Sequence, residues 1–162
     1  METFINRVQM SGPQARTWRN YKCDLALFVN VIGDRDVEKI HPPEIDTFVK
    51  AQIDRGHKPS TVNRRLVAVV FFYRYLASEV KTIPCPVLPR RHYLREPQRL
   101  PRPVNEREQR KFFSAVGDAR GRAMFALMLY GGMRIGEVSA LKLTDLYLGE
   151  TPSRMIIHGK GS

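Results

Sequence analysis

Cysteine is scarce: Cys23 and Cys85 are the only two in 162 residues. They stand far apart and lack the close pairing of a metal-binding knuckle. A disulfide framework and a zinc module are excluded, and a reducing compartment fits. Long apolar runs are missing too. No segment approaches the roughly 20 residues of a membrane-spanning helix, and no charged start leads into an apolar stretch as in a signal peptide. A cytoplasmic location without membrane contact is the default expectation. Acid is also short. Sixteen Asp and Glu face 27 Lys and Arg, leaving a net charge of +11. Such a surface suits a polyanion, although a basic solvated surface would show the same excess. Hydrophobic residues reach 43%, so a disordered polymer is excluded as well.

What is present reads mainly as helix. Ser11-Gly12-Pro13-Gln14 has the form of a capping box. Behind it Trp18, Tyr21, Leu25, Phe28, Val29 and Ile32 line one helical face, and Gly33-Asp34 ends the run. His41-Pro42-Pro43 opens a second helix with Ile45, Phe48, Val49 and Ile53 inward, closed by Gly56. Pro59-Ser60 caps a third, Thr61 to about Ser78, whose apolar face is Val62, Leu66, Val69, Val70, Tyr73 and Leu76. Residues 1–87 thus read as a compact helical domain.

The composition then breaks. Between Pro86 and Pro103 stand five prolines, five arginines and one glutamate. Proline at this density opposes regular helix, so residues 88–104 read as an extended interdomain linker. It is either a solubilising spacer or a basic strap along phosphates, with Arg90 and Arg91 among its contacts. A second unit, 105–162, starts at a capping box, Asn105 to Glu108. Phe112, Phe113 and Val116 face inward, and the apolar run Ala123 to Tyr130 predicts a deeply buried helix. Gly131-Gly132 breaks it, and a further helix spans Met133 to about Leu143. Arg154 to His158 reads as a strand entering a turn at Gly159-Lys160-Gly161. With no return strand after that turn, the unit is expected to be incomplete.

Two constellations carry chemistry. Arg134 follows two glycines at a helix start, with Glu137 one turn on, placed to brace the guanidinium. By spacing alone this is either an ordinary structural ion pair or a phosphate holder. Lys58, Ser60, Thr61, Asn63, Arg64 and Arg65 cluster at the start of the third helix, as a solvated polar face or as contacts to DNA. No residues group into a cofactor or metal site, so neither is expected.

The stretch "YGGMRIGEVSALKLTDL" resembles the first catalytic motif of the tyrosine recombinases, the phage-integrase and Xer-type family. Gly132, Met133, Arg134, Glu137, Val138, Leu141, Asp145 and Leu146 fall on its form, G-[LM]-R-x-x-E-[LV]-x-x-L-x-x-x-D-[IL]. "IIHGKGS" is similar to the family's following strand and G-K-G hairpin. "KPSTVNRRLVAVVFFYRYL" is similar to the last long helix of its core-binding domain, and "LPRPVNEREQRKFFSAV" to its linker exit. The resemblance implies a four- to five-helix SAM-like core-binding domain, a linker, and the helical start of a mixed α+β catalytic domain, with double-stranded DNA held in a C-shaped clamp. It implies phosphoryl transfer through a 3′-phosphotyrosyl intermediate without metal or nucleotide. Arg134 matches one of two phosphate-binding arginines, Glu137 its acidic support, and Lys160 the hairpin lysine that acts as general acid.

The departure is as informative. All six tyrosines precede Gly159, and no H-x-x-R follows Lys160. His92-Tyr93-Leu94-Arg95 has that spelling but precedes Arg134 and is rejected. The expectation is an N-terminal fragment that binds DNA without cleaving it, monomeric although family members act as tetramers on two sites. A non-catalytic accessory factor or regulator derived from a recombinase is the alternative.

A cationic surface acting on phosphates makes affinity salt-dependent. Fluorescence anisotropy with a labelled duplex should show a loss of at least about tenfold between roughly 50 and 200 mM salt. A flat response would overturn the basic-strap reading.

Overall fold

The computed structural model describes residues 1–13, 15–79, 83–97, 100 and 102–159. Lys160, on which one catalytic expectation rests, and Gln14 of the expected capping box lie outside the described residues. The chain divides into two compact units, Met1–Arg99 and Leu100–Ser162. The fold is mainly α, with one two-stranded sheet among the described residues.

The first unit holds helices α1 (Glu2–Ser11), α2 (Thr17–Ile32), α3 (Pro42–Asp54), α4 (Pro59–Glu79) and the single turn α5 (Pro89–His92). The helical periodicity of the sequence recovers α2, α3 and α4. Gly33 ends α2 at φ 85°, a left-handed conformation that costs glycine least. His41 starts α3 as expected, its backbone N–H donating to Glu44 Oε2 at 2.9 Å. At α4 the capping residue is Lys58, whose carbonyl accepts from Thr61 and Val62. Pro59 takes the first helical position, where its missing N–H is harmless.

Helix α1 has no counterpart in the sequence reading. Ser11 is its last residue, not the cap of α2, and its hydroxyl donates to the Val8 carbonyl. Phe4 drives the docking of α1: its ring meets Tyr21, Phe72 and Tyr75 at 6.0, 5.6 and 5.4 Å. Beneath it Leu25, Phe28, Ile45, Phe48, Val62, Leu66, Val69 and Tyr73 form a continuous buried core. Each such large side chain contributes about 1.5–3 kcal/mol on burial.

The expected 88–104 linker is not a free strap along its length. Residues 88–97 dock on the first unit. His92 is buried, its Nδ1 accepting from the Leu88 N–H at 2.8 Å. Its Nε2 lies 3.2 Å from Asp46 Oδ1 without hydrogen-bond alignment, and burial pushes the imidazole below its ordinary pKa. Arg91 grips the same Asp46 carboxylate. Proline spacing allows one helical turn, and side chains far away in sequence hold it.

The second unit contains α6 (Glu106–Ala115), α7 (Ala119–Tyr130), α8 (Ile135–Ala140) and strands β1 (Leu146–Tyr147) and β2 (Arg154–Met155). The Asn105 capping box is present: Glu108 N–H donates to Asn105 Oδ1 at 2.9 Å, and Asn105 N–H to Glu108 Oε2 at 3.1 Å. Asp118 caps α7 through the Gly121 N–H at 2.7 Å. A side chain at position 121 would strike Val116 Cγ1 at 2.8 Å, so that glycine belongs to the first turn of α7.

Two expectations need correction. Helix α7 is not deeply buried: Leu129 is 41% and Tyr130 75% exposed. Phe112 and Phe125 meet edge-on at 4.6 Å, and Phe113 stacks on Tyr130 at 6.1 Å. These pairs cover only part of the helix, and an apolar groove of about 670 Å³ remains beside it. Strand β2, moreover, pairs upstream, antiparallel to β1, with Leu146 opposite Met155 and Tyr147 opposite Arg154. The sequence does not predict this upstream partner.

Phe48, fully buried and edge-on to Phe28 at 5.1 Å, tests the first core. Phe48→Ala should cost about 3–5 kcal/mol, read as a lower denaturation midpoint by the fluorescence of Trp18. A loss below about 1 kcal/mol would contradict a close-packed core here.

Candidate nucleic-acid interface and phosphate site

Gly132 adopts φ 64°, which turns the chain sharply out of α7 at little cost to a residue without Cβ. Met133 then inserts into the second unit, 5% exposed. Arg134 follows as the N-cap of α8 in extended conformation, one position before the first turn that its spacing predicts. Glu137 is three residues on, and both its oxygens serve Arg134. Oε2 accepts from the Arg134 backbone N–H, and Oε1 from Nη1, each at 2.8 Å.

The pair is asymmetric. The Glu137 side chain is 13% exposed and that of Arg134 83%. The acid is therefore the fixed member, and the guanidinium projects into solvent with most of its five donors unused among the described residues. The backbone N–H of Arg134 first, and its side chain second, hold the Glu137 carboxyl below its ordinary range. Position 159 lies beside it: a Cβ built on Gly159 would sit 4.0 Å from Glu137 Oε1.

Asp145, a motif position to which the sequence assigns no role, does related work. Its Oδ2 accepts from the Lys142 N–H at 2.9 Å, and its carbonyl accepts from the Ile156 N–H at 2.9 Å. His158 Nε2 lies 3.3 Å from its Oδ1. One residue thus caps the turn after α8 and anchors the strand leading to Gly159. The Lys142 N–H, then His158, lower its pKa.

In the first unit the expected DNA-facing residues separate by environment. Lys58, Ser60 and Arg90 are exposed, and Thr61 is half-buried. Arg64 is half-exposed but doubly bonded to the buried Asp24 carboxylate, with Nη2 to Oδ1 at 2.9 Å. Arg65 turns inward: its side chain is 14% exposed, bonded to Gln52 Oε1 and 3.8 Å from Asp24. Its neighbour's position on the helix faces out, and its own faces α3. Asn63 is occupied by the docked 88–97 segment, and Arg91 by Asp46. Arg74 lies over the exposed Phe71 ring at 5.5 Å. Trp18, Tyr21, Phe72 and Tyr73 pack in or against the core, as their apolar stripes predict.

Among the described residues no three His, Cys, Asp or Glu gather as a metal site, and no helix is long and apolar enough to cross a membrane.

Comparison with known proteins adds four findings. Residues 4–80 match the phage integrase N-terminal SAM-like domain. Tyrosine recombinase XerC of Thermodesulfovibrio yellowstonii is 30% identical over 98% of this chain and 53% of its own length. XerC of Xanthomonas campestris pv. campestris is 28% identical over 99% of this chain and 52% of its own. The chain thus spans about half the length of the curated relatives it matches. The fold is similar to that of a lambda integrase tetramer bound to a Holliday junction, with TM-score 0.69 and 20% identity over 89% of this chain and 43% of that one.

The lowered Glu137 pKa has a signed consequence. Its stabilising contribution is complete above the ordinary glutamate pKa and disappears as pH falls through the lower folded value. The Arg134 backbone amide signal, followed by NMR in acid, should titrate with a midpoint below about 4.3, the usual glutamate value. Glu137→Gln should abolish that titration. A midpoint at the ordinary value would mean the brace is not formed in solution.

Proposed function

The chain belongs to the tyrosine recombinase family, and from that premise we propose that these 162 residues hold duplex DNA and present one arginine to a phosphodiester. The first unit supplies a core-binding surface and the second the start of the catalytic site. The observation that carries this reading is Arg134: an exposed guanidinium whose backbone and side chain are both fixed by one nearly buried carboxylate.

That arrangement suits phosphoryl transfer. A planar fork of N–H donors matches two non-bridging phosphate oxygens. Because Glu137 sets the fork in advance, little reorganisation is needed as negative charge builds in the transition state. Lys160, by resemblance, protonates the leaving 5′-oxygen. The whole protein's reaction runs through a 3′-phosphotyrosyl bond that conserves the energy of the broken phosphodiester. The nucleophilic tyrosine and the second arginine that the resemblance calls for have no match in these residues: no tyrosine follows Tyr147, and no H-x-x-R follows Lys160. Binding without cleavage is therefore the activity proposed for this chain, as a monomer, with the tetramer on two sites belonging to the whole protein.

On the first unit, the exposed start of α4 forms the DNA face with Lys58, Ser60 and Thr61, joined by the outer side of Arg64 and by Arg90. Arg65 supports this face from within by holding α4 against α2 and α3.

Arg134 is one contact among many in binding, yet central to chemistry. Arg134→Ala should therefore change duplex affinity by less than about fivefold, since an exposed ionic contact is worth about 0–1 kcal/mol. Anisotropy with a labelled duplex checks this. Failure of the parent chain to bind any duplex would overturn the reading. A loss of about a hundredfold in the variant would recast Arg134 as a principal anchor.

A further inference from the structure

Glu96 is the single acid in residues 89–104, a segment with five arginines. Its Oε1 accepts from Asn63 Nδ2 at 2.8 Å, and it lines a cavity of about 270 Å³ with Lys58, Pro59, Ser60 and Pro97. Resting on the reading of the α4 start as a DNA face, we propose that Glu96 is a built-in competitor for DNA. Its carboxylate occupies the Asn63 amide and stands where phosphate approaches Lys58 and Ser60, so a duplex must displace it to engage this surface.

The hydrogen-bond inventory of Asn63 supports this. A primary amide has two donor hydrogens and one acceptor oxygen. In Asn63 the oxygen accepts from the Leu94 N–H at 2.8 Å. One hydrogen goes to the Leu94 carbonyl at 2.9 Å and the other to Glu96. No donor remains for a ligand. Leu94 packs against the core, so its backbone bonds persist. The exposed Glu96 side chain is the partner able to leave. Its departure frees one amide hydrogen for a phosphate oxygen or a base-edge acceptor. It also removes a negative charge from beside Lys58, where like charge would oppose an incoming phosphate.

The competitor is therefore electrostatic and steric at once, and two substitutions separate the parts. Glu96→Gln keeps the shape and an acceptor oxygen but removes the charge. Glu96→Ala removes both charge and occupancy. Glu2→Gln, on α1, makes the same change in net charge away from this cavity.

The experiment is anisotropy with a labelled duplex of about 30 base pairs, at about 100 mM salt so that ionic contacts register. Circular dichroism checks that each variant is folded. Glu96→Gln should bind about fivefold more tightly, as for a like-charge contact of roughly 1 kcal/mol. Glu96→Ala should gain at least as much, Glu2→Gln less than about twofold, and the Glu96→Gln gain should vanish when Lys58→Ala is added. Equal gains for Glu96→Gln and Glu2→Gln would overturn the competitor while leaving the DNA face intact, provided Lys58→Ala alone weakens binding. If Lys58→Ala has no effect, the DNA face itself is wrong, and the competitor falls with it.

Discussion

The first unit turns on one buried carboxylate. Asp24 of α2 is 4% exposed, yet it is bonded to Arg64 and lies beside Arg65, consecutive residues of α4. Arg65 in turn reaches Gln52 of α3. A buried acid without partners would be costly, and this one is compensated only while α2, α3 and α4 keep their registers. The cluster fixes the rotation of α4 about its axis. That rotation decides which residues line the outer surface, so the face proposed for DNA is set from inside. Solvent screens the half-exposed Arg64 member, and the inner one matters more.

A single local device recurs through both units. Glu44, Glu108, Glu137 and Asp145 each accept a backbone N–H from the residue three positions earlier. In each the second carboxylate oxygen faces a cationic or titratable side chain: Arg35, Arg102, Arg134 and His158 respectively. At Glu137 alone the capped residue and the cation are the same arginine. Elsewhere the device finishes a turn. Here it converts the capping of a helix start into the tethering of the same residue's guanidinium.

Much of this was legible. The apolar stripes of α2, α3 and α4, the Asn105 cap and the Arg134–Glu137 pair are local patterns, and local patterns survive in sequence. The failures share a cause. Ser11 spells a cap as well as a helix end, so the sequence hides α1. Residues 88–97 read as extended because proline speaks only for its own backbone. Their docking depends on Asp46 and Asn63, each more than thirty positions away. Arg65 looks like its neighbour Arg64 until the core assigns them opposite surroundings. The apolar α7 announces burial, but the described second unit covers only part of it.

The bond pattern at Asn63 also restricts what position 63 can be. Its side chain imitates a segment of β-strand, offering the Leu94 backbone an acceptor and a donor side by side, while the second donor serves Glu96. Aspartate has the acceptors but no donor when ionised. Serine reaches only one of the two groups. Glutamine has both, one methylene too far out for the same backbone. Among the twenty residues, one fits this clamp without moving α4 or the chain it holds, so this position should tolerate almost no substitution even though it is only half-buried.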